Sequence, residues 1–332
     1  MAKRVLIVVL MLVLAACGAT APAAPAQDAT TPSSKTVRVG YVPVLIYAPL
    51  YVAIERGYFA AEGITIESTP IQGGSDAVVQ LAAGNFDAAL GGAGAGLFNA
   101  AARGVEFSIV APMHSEKPPV SSPLVISAKR TSEFTSAADL KGKKVAINAT
   151  GAATEYWLSE ALKKGGLTID DVEVVTVPFK DVPASLDSNA IDAAILGEPL
   201  ATINIDNGLV SILSNDFIDG FDATYLYMGK PMLADQATAQ GFMRAYLKAC
   251  ADMQGDYMTP EIAAIVEKYT KVPAAVVEKA ALPQYDATGT IPVDDLATLQ
   301  AYFRTRGLLE YDSDLDIATI INTELVASVA GK

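Results

Sequence analysis

An internal repeat constrains the fold of this chain more than any other feature of its sequence. The stretch Gln80–Gly91 (QLAAGNFDAALG) resembles the later stretch Ala184–Gly197 (ASLDSNAIDAAILG), and Asp87 and Asp192 occupy equivalent places in the two. The offset between them is about 100 residues, far longer than the roughly 20–50 residues of a solenoid repeat. The repeat therefore predicts two similar lobes in tandem.

Each copy of the repeat belongs to a longer alternation of strand-like and helix-like segments. A helix-like segment ends at Gly63 in the first half and at Gly166 in the second, and a strand-like segment follows each glycine. Strands that alternate with helices indicate a mostly parallel sheet with covered faces. We expect strands at 37–42, 64–70 and 87–90, and again at 144–147, 172–177 and 192–196.

This alternation predicts an α/β fold with two lobes and a ligand cleft between them, because ligands of open α/β sheets bind outside the carboxyl ends of the strands. We expect residues 36–121 to form the first part of lobe 1 and residues 122–221 to form lobe 2. Residues 222–332 should return to lobe 1 with C-terminal helices, the first of them over 231–257. Crossovers near 117–123 and 219–229 are expected to act as the hinge.

The N-terminus has the pattern of a secretory signal. A basic start at Lys3 and Arg4 precedes an apolar run of about 12 residues, shorter than the roughly 20 that a spanning helix needs. Leu-Ala-Ala-Cys at 14–17 resembles the bacterial lipobox, which implies a signal peptide at 1–16 and acylation of Cys17. The alternative is a plain signal peptide with an incidental cysteine.

Residues 17–35 are rich in Ala, Pro, Thr and Ser and have almost no bulky apolar side chain. Such a segment cannot bury enough surface to offset its ordering entropy. We interpret it as a flexible tether between a lipid anchor and the folded body, which would place the protein at the cell membrane on its extracytoplasmic face.

The composition disfavours several classes of function. A formal net charge of −13 argues against binding to nucleic acid. One histidine, His114, and a single cysteine beyond Cys17, Cys250, leave no His-rich metal set. No spacing supports a Ser-His-Asp arrangement around His114. We therefore expect a monomer without cofactor or enzymatic activity. His114 is expected to be a satisfied polar residue near the hinge, with a hydrogen-bond donor to the ligand as the alternative.

Short motifs in a fixed order give the chain a family resemblance. It resembles the NMT1/THI5-like and sulfonate/nitrate/taurine solute-binding proteins at GYVP (40–43), APLYVA (48–53), GYFAAEG (57–63), QGGS (72–75), LAAGNFDAA (81–89), DLKGKKV (139–145) and GEP (197–199). The resemblance implies a type II periplasmic-binding-protein fold and, as partners, the permease and ATPase of an ABC importer. Within the family it is greatest to riboflavin-binding members.

Residues at the predicted strand ends are the candidate ligand contacts. Aromatic side chains would stack on a planar ligand, glycine loops would donate backbone hydrogen bonds, and an acid would accept them. For Tyr47 a packing role, and for Glu198 a role at a helix N-terminus, remain as alternatives. The candidates are Tyr47, Gly74, Ser75, Gly92, Asn148, Thr150, Tyr156, Trp157, Glu198 and Tyr225.

The nature of the ligand is suggested by charge. None of these loops contains arginine, and Lys180 is the only nearby cation. Anion capture usually uses arginine or helix N-termini. The sequence therefore favours an uncharged heterocycle such as riboflavin, with a thiamine-pyrimidine precursor or an alkanesulfonate as alternatives. Outside this class, a secreted enzyme or a sensor ectodomain remains open.

Overall fold

The computed structural model describes residues 34–71 and 74–329, with only the backbone described for 74–76. The predicted signal peptide, the predicted acylation site at Cys17 and most of the predicted tether lie outside the described residues. Among the helices that are described, none combines the length and the apolar character needed to cross a membrane.

The described strands are β1 (Lys35–Tyr41), β2 (Ile64–Pro70), β3 (Ala88–Gly92), β4 (Phe107–Glu116), β5 (Leu124–Ser127), β6 (Lys144–Ile147), β7 (Glu173–Thr176), β8 (Ala193–Ile195), β9 (Val210–Ser214) and β10 (Phe221–Gly229). The described α-helices are α1 (Ala48–Glu55), α2 (Tyr58–Ala61), α3 (Gly74–Ala82), α4 (Ala95–Ala102), α5 (Ala153–Lys164), α6 (Val182–Asp187), α7 (Leu200–Asp206), α8 (Lys230–Ala234), α9 (Gln236–Asp252), α10 (Pro260–Thr270), α11 (Ala274–Val277), α12 (Val293–Thr305) and α13 (Thr323–Val329).

These strands form two five-stranded sheets with the same topology. The sheet of lobe 1 has the order β2-β1-β3-β10-β4, and that of lobe 2 has the order β7-β6-β8-β5-β9. In each sheet four strands run in the same direction, and the fourth in the order is antiparallel to both of its neighbours. The chain crosses between the sheets after β4 and again after β9. The fold is the predicted two-lobe α/β arrangement.

The repeated aspartates have the same structural role in the two lobes. Asp87 Oδ2 accepts a hydrogen bond from the backbone N–H of Arg38 at 2.9 Å, and Asp192 Oδ2 accepts one from Lys144 at 2.9 Å. Each aspartate precedes the third parallel strand and ties it to the first. Asp192 also receives Arg130 Nη1 at 2.7 Å. The repeated glycines correspond too, because Gly63 and Gly166 both have φ of +70°, a conformation that glycine adopts at low cost.

Two apolar clusters hold lobe 1 together, and one of them continues into lobe 2. The first lies under α1, α9 and α10 and includes Phe59 and Phe242. The second contains Phe303 of α12 together with Trp157 and Leu158 of α5, which belongs to lobe 2. The contact between the lobes is therefore partly a hydrophobic core.

Three features differ from the sequence-based expectation. The helix expected over 231–257 is two helices, broken at Asp235, whose carboxylate accepts a hydrogen bond from Thr238 N and caps α9. Strands β4, β5 and β9 were not anticipated. The return crossover expected over 219–229 is mostly β10, a strand inside the lobe 1 sheet, so that only about residues 215–220 connect the lobes.

The role of Asp192 can be tested by substitution. Replacing Asp192 with alanine removes the acceptor of two donors, Lys144 N and Arg130 Nη1. We expect the free energy of unfolding, measured by urea denaturation, to fall by about 1–3 kcal/mol. The matched control is Asp187→Ala, because that exposed carboxylate pairs with Lys129 at the surface and should contribute less than about 1 kcal/mol. Equal losses in the two variants would contradict the assigned role.

Candidate functional site

A pocket lies where the carboxyl ends of the parallel strands of the two lobes meet. It contains about 490 Å³ of space free of atoms, part of it open to solvent. The volume open to a water-sized molecule is about 40 Å³, well below the roughly 300–1,000 Å³ of small-molecule sites, so a ligand of that size requires the lobes to move apart. Its walls are Val42, Val44, Ile46, Tyr47, Gly92, Ser122, Asn148, Ala152, Ala153, Thr154, Trp157, Phe179, Gly197, Glu198 and Thr224.

Three aromatic side chains form much of the apolar wall. Tyr47 comes from the loop after β1, Trp157 from α5 and Phe179 from the loop after β7. The Tyr47 hydroxyl donates a hydrogen bond to the Leu90 carbonyl at 3.2 Å, and burial raises the pKa of this phenol well above its usual value. Tyr47 therefore presents a neutral ring that is fixed in place.

Trp157 contributes an unused donor to the pocket. Its side chain is buried, and Nε1 has no hydrogen-bond partner among the described residues. A buried donor without a partner costs about 1–3 kcal/mol. A ligand acceptor next to Trp157 would recover this cost.

Glu198 is the charged residue among the described residues that line the pocket. Its carboxylate accepts hydrogen bonds from Thr202 N at 3.0 Å and from Thr202 Oγ1 at 2.9 Å, so it also caps the start of α7. Burial raises the pKa of Glu198, the Thr202 hydrogen bonds oppose this shift, and the nearby Glu116 adds to it. The role at a helix N-terminus and the position on the pocket wall therefore occur together.

The N-terminus of α5 faces the pocket. Ala152, Ala153 and Thr154 line the wall, and no side chain caps the helix at Ala152. The Thr154 hydroxyl instead donates to Asn148 Oδ1 at 2.6 Å. The first turn of α5 therefore presents backbone N–H groups and a positive dipole end to a ligand acceptor.

Several hydrogen bonds between the lobes close the site around the pocket. Leu45 N donates to Glu198 O at 2.7 Å, and Ala95 N donates to Gly151 O at 2.8 Å. On one side Arg306 Nε lies 2.9 Å from the buried carboxylate of Glu155. These contacts hold lobe 1 and lobe 2 in close apposition.

The glycine loop after β3 lets the two lobes approach each other closely. A Cβ on Gly94 would lie 2.2 Å from Gly151 O, and one on Gly92 would lie 3.0 Å from Ala153 Cβ. The glycines therefore let the backbone of the opposite lobe approach. Gly92 still contributes to the pocket wall.

The ten predicted contacts divide into three groups. Tyr47, Gly92, Asn148, Trp157 and Glu198 line the pocket. Three others are not on this wall: Thr150 is exposed, Tyr156 stacks on Phe221 at 4.8 Å, and Tyr225 is buried. Gly74 begins α3, and for it and Ser75 only the backbone is described, so their part in the pocket stays a prediction.

Tyr225 requires a correction, because the strand that carries it is not a free crossover. β10 is paired on both edges, so alternate side chains point to opposite faces of the lobe 1 sheet. Tyr225 and Tyr227 are fully buried in the same apolar cluster as Phe303, while Thr224 lines the pocket.

Phe179, Ser122 and Thr224 were missed by the sequence analysis. Phe179 lies in the loop after β7, the second strand of lobe 2. Because the repeat makes this loop the counterpart of a candidate ligand loop in lobe 1, Phe179 could have been found from the sequence. Ser122 and Thr224 lie next to the two crossings. Nothing in their local pattern distinguishes them from other polar residues.

The pocket between two α/β lobes defines the class: this is the fold of the periplasmic solute-binding proteins of ABC-type importers. Among solved structures the chain is similar to the alkanesulfonate-binding protein SsuA of Xanthomonas axonopodis pv. citri bound to MOPS, with a TM-score of 0.72, 19% identity and coverage of 88% of this chain and 99% of the other. It is also similar to the periplasmic nitrate-binding protein NrtA of Synechocystis PCC 6803, with a TM-score of 0.74, 16% identity and coverage of 90% and 88%.

The sequence then gives the family. The NMT1-like family matches residues 30–267, and the chain belongs to it. A curated relative is the riboflavin-binding protein RibY of Chloroflexus aurantiacus, which is 26% identical over 261 residues, or 74% of this chain and 72% of the relative. The family resemblance and the two-lobe fold expected from the sequence are thus confirmed.

The close approach at Gly94 gives a test of lobe apposition. In Gly94→Ala the new Cβ would collide with Gly151 O, so we expect the lobes to separate and the free energy of unfolding to fall by about 1–3 kcal/mol. Thermal unfolding and the radius of gyration from small-angle X-ray scattering measure the two effects. Gly96→Ala is the control, because its Cβ meets nothing within 4 Å and a helical alanine is favoured. Identical scattering from both variants would refute this prediction.

Proposed function

We propose that the protein is the solute-binding component of an ABC importer and that it binds riboflavin in the pocket between its lobes. The observation that carries this proposal is the chemistry of the pocket wall, on which aromatic rings accompany a buried carboxylate. No arginine or lysine is found among the described residues that line it. The similarity to RibY supports the same ligand.

The electrostatics of the pocket favour a neutral ligand. A sulfonate would lie in the same small pocket as the Glu198 carboxyl without a cationic side chain on the wall. Bringing like charges together in a region of low dielectric is costly. A planar heterocycle instead gains from stacking and from burial of its apolar surface.

The flat faces of an isoalloxazine match the aromatic wall. Tyr47, Trp157 and Phe179 supply ring surfaces, and the free Trp157 Nε1–H together with the first turn of α5 supply donors for ring carbonyls. Ser122, Asn148 and Thr224 supply neutral polar groups. This combination of a few polar groups on an apolar wall is typical of sites for small organic ligands.

The cellular arrangement follows from the family and the N-terminal pattern. We propose that Cys17 carries the lipid anchor, that the residues from there to the start of β1 at Lys35 tether the body at the extracytoplasmic face, and that the protein acts as a monomer. Closure of the lobes over the ligand presents both lobes to the permease, and the partner ATPase powers import.

A second candidate ligand is an anion such as an alkanesulfonate. The observation that favours it is the uncapped N-terminus of α5 at the pocket, since backbone N–H groups and a helix dipole can bind an anion without side-chain cations. A thiamine-pyrimidine precursor is a third candidate that satisfies the same donors.

Trp157 is the single tryptophan of the chain, so its fluorescence reports on the pocket directly. We expect riboflavin to quench Trp157 emission, and the protein to quench flavin emission, saturably at micromolar or lower concentration. An aminopyrimidine and MOPS are titrated in parallel. Saturation by MOPS without a response to riboflavin would overturn the choice of ligand and leave the solute-binding class in place.

The stacking contacts are tested by Phe179→Ala, which removes one aromatic wall while keeping the Trp157 signal. We expect the Kd for riboflavin to rise about tenfold, corresponding to about 1.4 kcal/mol. Tyr58→Ala is the control, because that ring lies on the surface of lobe 1 next to Asp252 and Lys248, away from the pocket. If Phe179→Ala binds as tightly as Tyr58→Ala, the stacking assignment is wrong.

A further inference from the structure

His114 is the single histidine of the chain and is buried on β4. It is not on the pocket wall, but it contacts two residues that are. Its Nδ1 lies 2.5 Å from Thr224 Oγ1, and its ring meets Trp157 edge-on with 5.7 Å between the ring centroids. On the far side, Nε2 lies 3.5 Å from Oε1 of Glu116 but has no hydrogen-bond partner among the described residues, so the expectation that His114 is a satisfied residue is wrong for this nitrogen. The imidazole therefore lies between the pocket wall and a buried acid.

The position and the hydrogen bonds of Glu116 favour one tautomer of the His114 imidazole. Oε2 of Glu116 accepts from Ser121 N at 2.6 Å, and Oε1 accepts from Ser121 Oγ at 2.9 Å. Both oxygens thus act as acceptors. An acceptor oxygen facing Nε2 favours the tautomer with its hydrogen on Nε2. In that tautomer Nδ1 carries no hydrogen.

A bare Nδ1 at hydrogen-bond distance determines how the Thr224 hydroxyl points. The Thr224 hydroxyl has one hydrogen and two lone pairs, and it donates that hydrogen to Nδ1 in a hydrogen bond. It can then offer a ligand only its oxygen, as an acceptor. Glu198, the other buried acid near Glu116, faces the same pocket and likewise offers acceptor oxygens.

We propose that His114 is a positioning residue that orients the Thr224 hydroxyl, so that Thr224 Oγ1 meets the ligand only as an acceptor and selects a solute with an N–H or O–H donor at that point. The Trp157 Nε1–H, which has no hydrogen-bond partner among the described residues, selects an acceptor. The favoured solute class is a heterocycle with a lactam- or imide-like edge. This deepens the proposed function and, for riboflavin, rests on it.

The first test needs no ligand. In protein labelled with ¹⁵N-histidine and made without a histidine tag, one imidazole gives the whole signal. Two-dimensional NMR at neutral pH should show hydrogen on Nε2 and none on Nδ1. Thr224→Val should shift the Nδ1 resonance toward that of a nitrogen without a hydrogen bond, with the tautomer unchanged. Hydrogen on Nδ1, either in the other tautomer or in an imidazolium, would overturn the proposal, because Thr224 would then be the acceptor of that hydrogen.

The second test reads selectivity through Trp157 fluorescence with three flavins. They are riboflavin, 3-methylriboflavin, which lacks the ring N–H donor, and lumiflavin, which lacks the ribityl hydroxyls. We expect Thr224→Val to weaken riboflavin binding about tenfold, and we expect this loss to vanish with whichever analogue lacks the donor that meets Thr224. Losses that are equal for all three flavins, or absent for all three, would refute the selection of a donor.

The controls separate positioning from folding. Thr224→Ser keeps the hydroxyl and His114→Asn supplies a side-chain carbonyl in place of Nδ1, so both should retain the preference among the flavins. His114→Phe keeps a ring but frees the hydroxyl hydrogen, and it should reduce that preference. Thr298→Val, on the exposed face of α12, should change nothing.

If no flavin binds but a pyrimidine or MOPS does, the choice of riboflavin fails. The NMR result still decides the orientation of Thr224, and the N- or O-methylated form of the bound compound then tests donor selection.

Discussion

The site depends on one geometric constraint, which is that the carboxyl ends of two parallel strand sets face each other across a narrow gap. Loops after β1, β3, β6, β7 and β8 therefore converge on the same space. The gap is narrow because the backbones of the lobes touch: Ala95 N reaches Gly151 O, and Leu45 N reaches Glu198 O. Glycine at 94 makes the first contact possible, since any side chain there would collide with the carbonyl. Placement of every pocket residue follows from this apposition.

Within that frame, buried acids set the charge of the pocket region. Glu198 accepts hydrogen bonds from Thr202 at the start of α7. Glu116 accepts hydrogen bonds from Ser121, in the segment that leads from lobe 1 to lobe 2. Both acids lie in the region where the lobes meet, and no cationic side chain accompanies them on the described pocket wall. Hydrogen bonds to neighbouring backbone and hydroxyl groups stabilise these carboxyls, as buried polar groups require. The remaining polar capacity consists of neutral donors and acceptors, among them Trp157 Nε1, which has no hydrogen-bond partner among the described residues, and Thr224.

His114 shows how an inference from composition and an inference from structure differ. A single histidine without metal-ligand spacing predicts a polar residue with satisfied hydrogen bonds and no chemistry of its own. The structure adds that this residue connects the pocket wall to a buried acid. Its position between Thr224 on β10 and Glu116 at the end of β4 depends on an antiparallel pairing between segments about 110 residues apart, and no local pattern in the sequence encodes that pairing.

The sequence by itself determined the two-lobe α/β fold, the tandem repeat and the family, because these follow from local periodicity, turn glycines and the order of short motifs. Asp87 and Asp192 could be matched from the sequence because each has the same local role in its lobe. Each carboxylate accepts a backbone hydrogen bond that joins the third parallel strand to the first. Tyr47, Asn148 and Glu198 could be nominated because each follows a strand end, and Trp157 because it lies on the helix that follows β6. Only the tertiary structure decided that Tyr225 packs inward, that Thr224 and Ser122 face the pocket and that the glycine loop meets the opposite lobe. Those outcomes depend on how β10 inserts between β3 and β4 and on how closely the lobes approach, and such long-range packing leaves no periodic trace in the chain.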